Sequence, residues 1–248
     1  MDNKIAIIMV QWNRQSEFTI TVDNLNNQTL KNFDLFVWNN SPHEKDKYLL
    51  EEAVGKIKGY KCYLYHCNYN ARGFGRFLLA RKLLNEELVG YNGKEYKRII
   101  FLDDDRKVDP QFVYYLNSSC EDKMILGMWS FKIFDNTYSN RKRCSSGEDA
   151  DYIGTCGCII DSSFFKNSEF FDTYLYDPDV YWLEDIALTL FCKKINWKVK
   201  GLTSKYMHRI YEKGDKKYQG QLRECGGFKA KDKGYTKIRN HYLGLQKP

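Results

Sequence analysis

The stretch RIIFLDDDRKVDP, residues 98 to 110, decides the fold. Ile99, Ile100, Phe101 and Leu102 form a short apolar run fit for a buried strand. The run passes directly into Asp103, Asp104 and Asp105. Carboxylates this close repel one another and raise one another's pKa, so the triplet asks for a compensating partner. In extended backbone, side chains alternate, which points Asp103 and Asp105 one way and Asp104 the other. Two same-facing carboxylates suit a hard divalent cation with oxygen ligands, Mg2+ or Mn2+. The bland alternative is a solvated acidic turn leading to Asp109-Pro110, which reads as a helix cap with proline at the first helical position.

Upstream of this strand the same alternation repeats. KIAIIMV (4–10), FDLFVW (33–38) and KCYLYH (61–66) read as three further strands. Between them, apolar residues recur at helical spacing: Phe18, Val22 and Leu25; then Leu49, Leu50, Ala53, Val54 and Ile57; then Phe77, Ala80, Leu84 and Leu88, with Leu79 and Leu83 beside them. Strands alternating with helices predict an α/β fold with a doubly wound, mainly parallel, Rossmann-like sheet. In such sheets ligands bind beyond the carboxyl ends of the strands. Each of the four strands is followed by a polar cluster: QWNR, NNSPH, CNYNARGFGR and DDDR. All four are expected on one edge, and that convergence weighs more than any single motif.

Downstream, MILGMWSF (124–131) predicts a strand and residues 135–151 a polar loop. YIGTCGCII (152–160) reads as a glycine-bearing strand or turn. Leu183, Ile186, Ala187, Leu190 and Phe191 mark a helix face, and WKVKGL (197–202) a last strand. No repeat or linker divides the chain. A single domain is expected over 1–248, with a nucleotide-binding half (1–110), an acceptor half (111–205) and a basic extension (206–248).

Composition narrows the classes. With 248 residues, 43% hydrophobic and only 4 prolines, the chain can bury a substantial core. Its apolar runs fall far short of the about 20 residues that cross a bilayer. The early Asp2 does not fit a signal peptide, so a cytoplasmic protein with at most peripheral membrane association is expected. The 8 cysteines show no C-x-x-C pair and read as reduced, mostly buried thiols. The net charge of +7 is concentrated toward the C-terminus. No nucleic-acid module accompanies it, which leaves a solvated basic surface or a phosphorylated small molecule as the partner.

These residues together resemble the family 2 glycosyltransferases of the GT-A fold, over roughly residues 4 to 202. Asp103, Asp104 and Asp105 match the family's D-x-D signature, and YWLEDIALTLFCKKINWKV matches its Glu-Asp pair at a helix start. The resemblance implies Asp103 and Asp105 as ligands of Mn2+ or Mg2+, and Asp104 at the donor. It implies Asp185 as the base that activates the acceptor and Glu184 as its support. First-turn carboxylates also stabilise a helix dipole, and the two roles can coexist. Asn39 and Asn40 stand where the family usually reads the nucleotide base with an aspartate. Asn13 falls in the loop over the nucleotide, Arg76 near the diphosphate, and Gly73 and Gly75 where backbone must approach it. GTCGC (154–158) resembles the family's glycine-rich acceptor segment, or simply a bend in a strand. Tyr181 and Trp182 suit a sugar platform. His208 is a third metal ligand or a structural histidine.

The reaction this implies is an inverting, metal-dependent transfer from a nucleotide-diphosphate sugar, UDP-linked in the first instance, to a hydroxyl of a glycan or glycoconjugate. A nucleotidyltransferase would carry a Gly-, Arg- and Lys-containing loop after the first strand, which VQWNRQSEF lacks. An aspartyl phosphotransferase would place its aspartates after the first strand rather than the fourth. A non-catalytic sugar- or nucleotide-binding relative would not need Asp103, Asp105 and Asp185 together.

Overall fold

The computed structural model describes residues 4–85, 96–175, 183–210 and 227–244. Leu88, Tyr181 and Trp182, named above, lie outside them, as does Cys225. The strands β1 (Lys4–Gln11), β2 (Phe33–Asn39), β3 (Lys61–His66) and β4 (Tyr96–Asp103) are parallel neighbours. The helices α1 (Phe18–Asn26), α2 (Glu44–Val54) and α3 (Gly75–Leu84) connect the first three strands and lead toward the fourth. Within β1, Ile5, Ile7 and Met9 pack on the α1 and α2 side, and Ala6, Ile8 and Val10 on the α3 side. That two-sided burial is why these strands are continuous apolar runs. Each Ile, Val or Met side chain among them contributes about 1.5–3 kcal/mol when fully buried.

The second half extends the same sheet. Beyond β4 come β5 (Arg106–Val108), α4 (Phe112–Ser119), β6 (Met124–Gly127), β7 (Ser130–Ile133) and β8 (Arg141–Arg143). β9 (Tyr152–Ile153), β10 (Cys158–Asp161), α5 (Ser168–Leu175), α6 (Glu184–Lys194), β11 (Lys198–Gly201), β12 (Met207–Arg209) and α7 (Gly227–Leu243) complete the described chain. The main sheet has seven strands in the order β11-β6-β10-β4-β1-β2-β3. β10 is antiparallel to both neighbours and the rest run parallel. The GTCGC segment therefore enters β10 at the edge where β4 ends.

Three local expectations shift. The helix after the triplet starts at Phe112, not Pro110, because Asp109 continues an antiparallel β5–β12 ribbon through its N–H to the Tyr206 carbonyl (3.0 Å). Ile57 lies past the end of α2. The single strand expected over 124–131 breaks after Gly127, which lies against Ile153: a Cβ there would stand 2.3 Å from the Ile153 side chain. β7 then joins a separate three-stranded sheet, order β8-β7-β9, whose β8 comes from the supposed polar loop. That loop folds because Arg141 lies 4.0 Å from the centroid of buried Tyr138 and 4.6 Å from that of Phe131. Among the described residues, no helix is long and apolar enough to cross a membrane.

Candidate active site

The acidic triplet closes β4 at the predicted edge. The strand ends at Asp103, and Asp104 and Asp105 form a turn rather than continuing the pleat. Even so, Asp104 is directed elsewhere from its neighbours. It accepts from the Trp12 N–H (3.2 Å) and from Arg14 (2.7 Å), both in the loop after β1. Burial, with Asp103 and Asp105 adding to it, outweighs Arg14 and pushes Asp104 up to about 6. Asp103 is half-buried; desolvation works against its charge, but the guanidinium groups of Arg76, Arg106 and Arg14 outweigh that and hold it below the usual carboxylate range.

Asp105 is the unsatisfied member. Burial and the Asp103 charge raise its pKa against Arg106, Arg14 and Arg209. Its Oδ1 is buried without a hydrogen-bond partner among the described residues, although Arg106 Nε is 3.1 Å away in poor hydrogen-bonding geometry. A buried carboxylate oxygen that has an ion pair but no hydrogen bond, beside a second carboxylate, fits a divalent cation, which takes hard oxygen ligands. No set of three His, Cys, Asp or Glu side chains comes together for a metal among the described residues. His208 is not part of the set. On the β5–β12 ribbon it lies opposite Lys107 with its side chain exposed, and its Nε2 is 3.4 Å from Asp109. Arg209, next along, is the ribbon residue whose charge acts on Asp105.

Arg76 joins the triplet to the second acidic pair. It is buried in the first turn of α3, donating to Asp103 Oδ1 (2.8 Å), the Gly73 carbonyl (3.0 Å) and the Thr155 carbonyl (3.3 Å). Its charge also acts on Glu184. Gly73 is required by that approach: a Cβ there would stand 1.9 Å from Glu184 Oε1. Gly75 is required by the Trp38 indole, 2.8 Å from its would-be Cβ. The glycines thus admit protein side chains rather than a phosphate. Arg76 is likewise a buried brace rather than an arm reaching outward.

Glu184 and Asp185 open α6. Desolvation by burial and the adjacent Asp185 push Glu184 up to about 7, against Arg76 and Lys231. Asp185 accepts from the Tyr152 hydroxyl and from the Ile186 N–H. Tyr152 is buried in β9, and burial and then the Asp185 charge raise its pKa, so it remains a donor.

The two asparagines expected to read a base do not face outward. Both are fully buried. Asn40 accepts from Trp38 Nε1 (2.9 Å) and the Ala71 N–H (2.8 Å) and donates to the Arg72 carbonyl (3.2 Å). Asn39 accepts from Gln15 (3.1 Å) and the Ser41 N–H (3.1 Å). Their amides tie the end of β2 to its neighbouring loops, which corrects the base-reading assignment. Asn13 is exposed in a left-handed conformation (φ 59°), and the adjacent Arg14 is the residue that engages the triplet.

Sequence reasoning missed Arg14, Tyr152 and an arginine group around Trp129. Arg143, Arg209 and Arg106 lie 4.0, 5.3 and 5.6 Å from that indole. Gly154 links this group to Tyr152, the partner of Asp185: a Cβ there would be 2.8 Å from Trp129 and 3.3 Å from the Tyr152 hydroxyl. Cys156, nearby, is pushed up to about 12 by burial and stays a thiol.

No protein-family model and no curated protein sequence matches the chain. Solved structures do. TarS 1-349 of S. aureus, in complex with UDP-GlcNAc, superposes with a TM-score of 0.55 at 15% identity, over 97% of this chain and 71% of that one. The mannosyltransferase PcManGT of Pyrobaculum calidifontis, in complex with GDP-Man and Mn2+, gives 0.59 at 6% identity over 96% and 69%. The fold is GT-A. GalNAc-T7, with UDP, GalNAc and Mn2+, gives 0.59 at 13% identity over 85% of this chain and 44% of that one. At such identities the likeness speaks for the fold, and the chemistry rests on this chain's own residues.

Proposed function

We propose that this protein is an inverting glycosyltransferase, akin to family 2, that moves a sugar from a UDP-linked donor to a hydroxyl of a glycan or glycoconjugate. The observation that carries it is the Arg76 bridge. One buried guanidinium links an acidic triplet with an unsatisfied oxygen to a separate Glu-Asp pair, both at the ligand edge of a GT-A sheet. Two acidic sites, one for a cation and one for a proton, are what sugar transfer from a diphosphate needs.

In this reading Asp103 and Asp105 would hold Mn2+ or Mg2+, which when bound neutralises charge on the departing diphosphate. Neighbours of this fold have been solved with Mn2+. Asp104 and Arg14 fix the loop after β1 over the donor, beside Asn13. Asp185 takes the proton from the acceptor hydroxyl as that oxygen attacks the anomeric carbon from the face opposite the leaving group. Glu184, with its pKa pushed up to about 7, can carry a proton near neutrality and in that form donate a hydrogen bond to the acceptor. Residues 1–110 then serve the donor and 111–205 the acceptor, with no part for nucleic acid, and the enzyme works in the cytoplasm.

The test is incubation with α-linked UDP-sugars and Mn2+, with products followed by proton NMR. Free UDP and a β-configured product are expected. Asp185→Asn should lower turnover by at least about a hundredfold while leaving donor affinity unchanged. Cleavage within the diphosphate, a retained α linkage, or full turnover by the variant would overturn the reading.

A further inference from the structure

Three arginines without a task in sugar transfer meet at Trp129, and the strand registers bring them there. In the β5–β12 ribbon, Arg209 is paired directly with Arg106. Like charges directly opposite one another destabilise a sheet. In the small sheet, Arg143 of β8 is paired with Phe131 of β7, and Phe131 with Tyr152 of β9. Arg143, Phe131 and Tyr152 therefore form one row on one face. The Arg143 guanidinium is 5.3 Å from the Phe131 centroid, and the Phe131 ring stacks on Tyr152 at 5.9 Å. Tyr152 donates to Asp185. Arg143 thus stands two strand spacings, about 10 Å, from the tyrosine that holds the candidate base.

Exposure rises along the group: Arg106 is buried, Arg209 half-buried and Arg143 exposed. Arg106 Nε is buried and makes no hydrogen bond among the described residues, although it is ion-paired with Asp105 (3.1 Å). Arg143 donates to Ser204 Oγ (3.0 Å), and among the described residues it pairs with no carboxylate. Burial and then the Arg106 charge hold Arg209 below its ordinary pKa, against Asp105. Contact with the indole, at 4.0, 5.3 and 5.6 Å from its centroid for Arg143, Arg209 and Arg106, holds the guanidiniums but neutralises none of them. The planar fork of N–H donors on a guanidinium matches the oxygens of a phosphate or a carboxylate.

We propose that Arg106, Arg143 and Arg209, gathered around Trp129, form a site for an oxyanion of the acceptor, so that the acceptor is a saccharide or glycoconjugate bearing a phosphate or carboxylate close to the hydroxyl that is glycosylated. The acceptor assignment rests on the glycosyltransferase reading; the oxyanion site does not. Arg143 decides which substrate is held. It belongs to the sheet that carries Tyr152, on the side of the base, and not to the strands β1 to β4 that make the donor half. An anion seated there lies one sheet row from the group that removes the acceptor proton. It also relieves the repulsion between Arg106 and Arg209, which a neutral acceptor would leave standing.

The first probe is inorganic phosphate, titrated calorimetrically into the protein at constant ionic strength. Phosphate should bind, and Arg143→Gln and Arg209→Gln should each weaken it about tenfold, the loss expected of one hydrogen bond to a charged group. Arg143→Lys keeps the charge but not the fork and should fall between. Arg143 is exposed, so its variants fold even if Arg209→Gln does not. Equal phosphate affinity in the wild type and Arg143→Gln would overturn the site. The same titration in saturating UDP and Mn2+ separates donor from acceptor. Unchanged phosphate affinity supports the acceptor, whereas displacement of phosphate by UDP would give the arginines to the donor diphosphate and overturn the proposal. Failure of UDP to bind at all would remove the acceptor assignment with the transferase reading, while the Arg143 effect on phosphate would persist. Glucose 6-phosphate, glucuronate and glucose, titrated into the UDP–Mn2+ complex, then identify the oxyanion. One of the two anionic sugars should bind at least about tenfold tighter than glucose, and Arg143→Gln should erase that margin. Equal binding of all three by the wild type would overturn the anionic acceptor.

Discussion

Glu184 titrates close to neutrality because α6 begins with two carboxylates in a desolvated corner, against which Arg76, a backbone hydrogen bond and Lys231 act. Folding raises its pKa from the ordinary ~4.3 to about 7. The folded state therefore binds more protons than the unfolded state between those values, and stability falls as pH rises through this window. Glu184→Gln, which mimics the protonated form, should match the wild-type melting temperature at about pH 4 and exceed it at about pH 8. Equal pH dependence in the two proteins would show that Glu184 does not carry this penalty. At this scale the sequence was legible where chemistry is local. Adjacent carboxylates announce themselves, so Asp103 to Asp105 and the Glu184-Asp185 pair stood out. Asn39 and Asn40 did not, because whether an amide faces a ligand or closes its own hydrogen bonds is decided by loops far away in sequence. Lys231 was hidden for the same reason, as one of many lysines in a basic tail.

At the scale of elements, two glycines at the site carry different constraints. Gly157 has φ of 103°, and a Cβ there would lie 2.3 Å from Met207 Sδ, beside Phe112 of α4. Gly73 meets only the far end of the flexible Glu184 side chain. Gly157→Ala should cost about 1–3 kcal/mol in backbone strain and lower the melting temperature by several degrees. Gly73→Ala should melt near the wild type yet lose turnover, because Glu184 must move off its position beside Arg76. Equal melting losses in both would mean that the 70–76 loop is as rigid as the β10 entrance. The main strands and most helices were readable from periodicity, since both faces of the sheet are dry. The β7–β8 hairpin was not. Its apolar partners are aromatic rings covered by Arg141 and Arg143, and arginine reads as surface in any hydropathy pattern.

At the scale of the molecule, the candidate site is assembled from segments separated by most of the chain: Arg14 after β1, Arg76 in α3, the triplet after β4, the pair on α6 and Lys231 on α7. The parallel sheet gathers them, since it turns separate strand ends into one edge. This is why the convergence of polar clusters was predictive while the individual partners were not. A ligand that spans the edge engages several of these segments at once, and one that binds only the folded state raises its stability by about 2.7 kcal/mol at a hundredfold excess over Kd. For a chain of this length that corresponds to roughly 5–10 °C in melting temperature. The unsatisfied Asp105 oxygen makes the gain conditional on the cation. UDP with Mn2+ should therefore give a large upward shift, UDP alone a small one, and Asp105→Ala should abolish the difference between them. That variant should itself fold normally, because it removes a carboxylate whose pKa is already raised by burial and by Asp103. Equal shifts by UDP with and without Mn2+ would place the nucleotide away from the triplet, and the metal would then have no part in holding the donor.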